Sequence, residues 1–100
     1  YQRSGDLFLG VPFNIASTAL LTNILAKMSN TNPGKIIIII GDGHIYGNHI
    51  GQIKEQLDRD TYCFPQLSVR ENKKFEDYTI DDFTLMGYQS HPSIKADMVA

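Results

Sequence analysis

Downstream of Val11 the apolar positions fall at Ile15, Ala16, Ala19, Leu20, Ile24 and Leu25. They cover so much of a helical circumference that the spacing predicts a helix from Val11 to about Met28, buried on most of its sides. Pro12 suits its first turn, where the missing amide hydrogen costs nothing. Asn14 and Ser17 break the apolar surface and, at helical spacing, share a face. They lie at the helix end that favours anions. A buried amide needs partners, from the protein or from a ligand. Ahead of the helix, Tyr1 to Asp6 is expected to be a strand leading into a Gly-Val-Pro turn. Behind it, the turn formers Ser29 to Gly34 (SNTNPG) are expected to end it.

Lys35 to Ile40 is β-branched without alternation, which predicts a central strand covered on both faces. Gly41-Asp42-Gly43 interrupts or bulges it. His44-Ile45-Tyr46 is expected to be extended, with His44 and Tyr46 on one face and Ile45 on the other. Asn48 reads as the N-cap of a helix with Ile50, Ile53 and Leu57 on one stripe and Lys54, Glu55 and Asp58 outside. Leu67 to Val69 and Phe83 to Tyr88 are strand candidates. The connection Glu71 to Lys74 reads as exposed, with Lys73 and Lys74 solvated. The expected architecture is α+β: a mixed β-sheet with one long buried helix and one amphipathic surface helix, without an internal domain boundary.

Composition narrows the function. The hydrophobic content of 42% and charge of 20% are those of a soluble globular protein. A net charge of −2 gives no electrostatic case for nucleic acid or a membrane surface. The isoleucine run is too short to span a bilayer. Cys63 stands alone, which precludes an internal disulfide, and with no visible signal peptide a cytosolic setting is expected. The three histidines and Cys63 show no zinc-ligand spacing, so no metal is expected. Cys63 has no basic neighbour to activate it. Arg3 offers a planar fork suited to phosphate, with a hydroxyl beside it on Ser4. On the residues alone Arg3 reads more readily as a surface arginine and a lone histidine such as His44 as structural, packed with Tyr46, while Asp6 could be a turn cap and Phe13 core.

Three segments together say more. QRSGDLFLGVPFNIAS near the start, GDGHIYGNH (Gly41 to His49) and the ending HPSIKADMVA resemble, in order and spacing, the C-terminal part of the thymidylate synthase family. Gly5 stands where most of that family carries a cysteine. The resemblance implies the family's α+β fold, a homodimer whose sheets pack face to face, and a partner subunit that adds arginines to each phosphate site. It also implies reductive methylation of deoxyuridylate (dUMP) to dTMP with methylenetetrahydrofolate as co-substrate. The residues it assigns to the nucleotide are Gln2, Arg3, Ser4, Gly5, Asp6, Asn14, Ser17, His44, Ile45 and Tyr46. Arg3 and Ser4 would hold phosphate, Asn14 the pyrimidine edge, and His44 and Tyr46 the sugar. Asp6, Leu9, Gly10, Phe13, Met98 and Val99 would line the folate site, with Asp6 also in a proton-transfer network and the tail closing over the folate. Asp6 and Asn14 are the expected catalytic residues. The family's nucleophile lies in a Pro-Cys-His segment before the matched region, so Cys63 is not expected to be the nucleophile, and the chain, which opens on Tyr1, reads as a piece of a longer protein. A deoxycytidylate hydroxymethylase, which shares the scaffold and changes the residue matching Asn14, and a non-catalytic nucleotide-binding module remain alternatives.

Overall fold

A computed structural model describes residues 1–98. The chain forms two compact units. The first comprises Tyr1–Ser17, Ile37–Thr61 and the segment from His91; the second comprises Thr18–Ile36 and Tyr62–Ser90. Helix α1, Val11–Met28, contributes its first residues to one unit and the rest to the other.

In the first unit, strand β1 (Gln2–Asp6) pairs in parallel with β2 (Ile40–His44), with Gln2 opposite Ile40 and Asp6 opposite His44. The expected isoleucine strand is therefore displaced. Of the isoleucines only Ile40 lies within the paired register, while Ile37 and Ile39 are 81% and 61% exposed. The reason is register. With Gln2 opposite Ile40, the five residues of β1 run forward along Ile40 to His44, and beyond the Ile39 carbonyl, which accepts from the Gln2 amide at 2.8 Å, β1 extends no further back along the isoleucines. Gly41 belongs to this ladder rather than interrupting it. A Cβ there would stand 2.5 Å from the Tyr1 hydroxyl and 3.0 Å from the Arg3 carbonyl, so glycine is what lets the strands close.

Asn48 is not the cap of the following helix. It lies inside a 3₁₀ turn, Gly47–His49, and α2 (Ile50–Leu57) begins after His49 with no side-chain cap. The stripe Ile50, Ile53 and Leu57 is only partly covered, as suits a peripheral helix.

Helix α1 starts where the Gly10 carbonyl accepts from the amides of Phe13 and Asn14, each at 3.1 Å, leaving Pro12 in the donor-poor first turn. It stops at Asn30, whose φ of 52° is the left-handed conformation that closes many helices. The Thr31 amide donates to the Ala26 carbonyl (2.9 Å) and the Asn30 amide to that of Lys27 (3.3 Å). The expected all-round burial of α1 does not occur. Val11, Ile24 and Ala26 are buried, but Phe13, Ile15, Leu21, Leu25 and Met28 are exposed. An 18-residue helix is about 27 Å long, and the described residues leave much of its apolar surface uncovered.

The second unit holds the antiparallel pair of β3 (Gln66–Val69) and β4 (Phe83–Met86), with Val69 opposite Phe83 and Leu67 opposite Leu85. The sheet is thus not one mixed sheet but two small ones, one parallel and one antiparallel.

The β3–β4 connection is organised by Asp82, which is buried. Lys73 Nζ donates to Asp82 Oδ2 at 2.6 Å, the Thr79 amide donates to the same oxygen at 2.8 Å, and Arg70 Nη1 lies 3.1 Å from Oδ1. Lys73 is therefore an ion-pair partner, not a solvated lysine. A carboxylate withdrawn from water needs such partners to remain charged. The Lys73 hydrogen bond first, and the Thr79 amide second, pull the Asp82 carboxyl from 3.8 down to about 2. A depressed folded value means the stabilisation is complete above the ordinary carboxylate range and is lost as pH falls through about 2. We expect urea-unfolding midpoints of the protein to drop across that acid window, and Asp82→Asn to be less stable at neutral pH with a flatter profile there. Parallel profiles for the two proteins would contradict this role.

Candidate functional site

All of the expected site residues among the described ones lie in the first unit. β1 ends in a turn whose first residue, Asp6, caps it: Asp6 Oδ1 accepts from the Phe8 amide at 2.9 Å, and the Asp6 carbonyl accepts from Gly10 at 3.1 Å. This is the local cap the sequence allows. It spends one carboxylate oxygen and fixes where the other can point.

Past this turn opens a cleft of about 480 Å³ lined by Asp6, Leu9, Gly10, Phe13, Tyr46, Ala96 and Met98. The structure thus brings together Asp6, Leu9, Gly10, Phe13 and Met98, five residues assigned to one ligand from opposite ends of the chain. Val99, assigned with them, lies outside the described residues. Apart from Asp6, the lining side chains are apolar or aromatic, and Phe13 is 73% exposed on its wall. A flat heteroaromatic ring could lie against Phe13 and Leu9 while its N–H groups donate to the carboxylate. The residues present fit a folate of that description.

On β1, Arg3 is exposed and forms no ion pair among the described residues, while Ser4 is half-buried. Gln2 reaches across to the helix. Its Nε2 donates to the Ser4 carbonyl at 2.8 Å and to Asn14 Oδ1 at 3.0 Å. That second bond sets which way the Asn14 amide faces. Gly5 is sealed: a Cβ would come within 2.7 Å of Val11 Cγ2 and 2.9 Å of Gln2 Nε2. A cysteine here would have to displace both. Ser17, one turn beyond Asn14, is exposed.

Following β2, the His44 and Tyr46 rings meet edge to face at 5.2 Å, so they share a side as alternation requires. Ile45 turns away into a separate apolar recess with Leu7, Phe8, Ile53 and Leu57, and the structure does not bring its side chain to the cleft.

Sequence reasoning missed His49. It is the one large side chain with no exposure among those described. Its ring lies 5.5 Å from Phe8 and 5.7 Å from Tyr46, and its Nε2 donates to the Asp97 carbonyl at 2.7 Å. Two more bonds hold the same segment: Arg59 Nη1 to the Pro92 carbonyl at 2.7 Å, and His91 Nε2 to the Asp60 carbonyl at 2.8 Å. These partners are separated by 31 to 48 positions, and no local spacing signals them. Cys63 is exposed and lies in the second unit. Among the described residues no group of side chains could hold a metal ion, and no helix is long and apolar enough to cross a membrane.

A family model described as thymidylate synthase matches residues 1–100. The chain is 49% identical over 98 residues to a thymidylate synthase of Mycoplasma pneumoniae, covering 98% of this chain and 34% of that protein. It is 52% identical over 96 residues to one from Staphylococcus haemolyticus, covering 96% and 30%. To a bifunctional dihydrofolate reductase-thymidylate synthase of Paramecium tetraurelia it is 51% identical over 98 residues, covering 98% and 21%. The chain therefore spans between a fifth and about a third of the length of these relatives.

Proposed function

The chain belongs to the thymidylate synthase family, and from that premise we propose that it is the C-terminal part of a single synthase domain that converts dUMP to dTMP. The observation that carries the proposal is the cleft itself, in which Asp6, Leu9, Gly10, Phe13 and Met98 converge beside Tyr46. In this reading the whole protein is a cytoplasmic homodimer. Bound methylenetetrahydrofolate supplies the one-carbon unit and the reducing hydride.

What this chain's residues do follows from their placement. Arg3, which forms no ion pair among the described residues, binds the nucleotide phosphate through its fork, with the Ser4 hydroxyl beside it. Asn14, oriented by Gln2, donates to a pyrimidine carbonyl and accepts from the neighbouring ring N–H. His44 and Tyr46, braced against one another, present donors to the sugar hydroxyl. Asp6 holds the folate ring through the cleft mouth and passes protons through water. Leu9, Phe13 and the tail exclude bulk water and so strengthen these polar contacts.

The nucleophile is supplied from outside this chain. Cys63 is exposed, and no basic residue adjoins it in YCFPQL to favour a thiolate. Hence the isolated 100-residue chain is expected to release no tritium from dUMP labelled at C5. Release by the purified chain would overturn the assignment of Cys63 as a bystander.

A further inference from the structure

We propose that His49 is a positioning residue that latches the C-terminal segment across the cleft, so that Ala96 and Met98 form its far wall. The inference rests on reading that cleft as the folate site. His49 does not itself line the cleft, yet it contacts the two elements that frame it. One is the tail. A carbonyl oxygen can only accept, so the 2.7 Å contact with Asp97 requires the hydrogen on Nε2. Asp97 sits between the two tail residues that line the cleft. The other is Tyr46, another lining residue, whose ring meets that of His49 edge-on at 5.7 Å.

Burial makes the bond consequential. His49 has no exposure, and its Nδ1 is buried without a hydrogen-bond partner among the described residues. An imidazole held this way has given up water at one nitrogen with nothing in return. A simple apolar ring would fill the space between Phe8 and Tyr46 without that loss. Packing alone therefore does not account for histidine here; the donor on Nε2 does. The other tail bonds, Arg59 to Pro92 and His91 to Asp60, hold the segment at its exposed start. His49 holds it next to the cleft.

The test uses the whole protein with two substitutions. His49→Phe keeps a ring against Phe8 and Tyr46 and removes the donor. His49→Gln keeps an N–H donor and removes the ring. In His49→Phe, loss of one buried hydrogen bond is expected to raise the KM for methylenetetrahydrofolate about tenfold. The Kd for dUMP, measured directly without folate, is expected to stay within about twofold. Amide exchange over residues 91–98 is expected to speed up, and His49→Gln to restore both the folate KM and the protection. Unchanged folate KM and tail exchange in His49→Phe would overturn the latch, as would a parallel loss of both ligands without rescue by His49→Gln, which marks a merely structural histidine. Failure of the unsubstituted protein to bind reduced folate at all would instead overturn the reading of the cleft.

Discussion

Asp6→Asn in the whole protein is expected to lower kcat by about 10²–10⁴-fold, the range for a lost proton-transfer group, while leaving the melting temperature nearly unchanged. The two halves of this expectation come from different atoms. Asp6 Oδ1 caps the turn by accepting from the Phe8 amide, and the side-chain oxygen of asparagine can do the same. What asparagine cannot do is carry a negative charge in the lining of the cleft or accept and return a proton. Asp6→Ala removes both functions and should lose turnover and stability together. Thermal unfolding measured beside steady-state kinetics separates them. An Asp6→Asn protein that is fully active would reduce Asp6 to a turn cap, and one that is inactive because it is unfolded would place its importance in the fold.

Asn14→Asp is expected to reverse the preference between dUMP and deoxycytidylate. Uracil presents a carbonyl next to a ring N–H; cytosine presents an amino group next to a bare nitrogen. The Asn14 amide, with Oδ1 already accepting from Gln2 at 3.0 Å, has its donor directed and can complement the uracil edge. A carboxylate only accepts, and when protonated it matches cytosine instead. Each mismatched group shut away from water by the bound nucleotide costs about 1–3 kcal/mol, so two mismatches should shift the ratio of kcat/KM values by about 30-fold to 10⁴-fold. Gln2 would keep its acceptor in the variant, and the Arg3 phosphate contact would be untouched. If Asn14 only packs the first turn of α1, stability falls and the ratio of the two substrates stays where it was.

The elements most legible in the sequence were those fixed by local chemistry. Pro12 and the SNTNPG run set both ends of α1 because a proline tolerates only the first turn and an asparagine accepts a positive φ. The strands after Pro65 and at Phe83 were legible for similar reasons. Ile36 to Ile40 misled because β-branching reports compatibility with a sheet, not the presence of a partner; register with Gln2 decided which residues paired. The all-apolar surface of α1 likewise records what the helix can bury rather than what covers it in this chain.

For the site, alternation placed His44 with Tyr46, and helical spacing placed Asn14 near the start of α1. The convergence of Phe13 with Met98 had no local signature and came only with the family resemblance. Asp82 with Lys73, and His49 with Asp97, were illegible for one reason. A buried polar group is known by its partner, and the partner lies elsewhere in the chain.

We propose above that these residues serve a synthase acting on the pyrimidine ring of dUMP. The most direct test of that proposal is tritium release from C5-labelled dUMP by the whole protein, followed together with formation of dTMP. Release is expected to require methylenetetrahydrofolate, to match dTMP formed mole for mole, and to survive Cys63→Ser. Absence of release from dUMP, or release from labelled deoxycytidylate in its place, would contradict it.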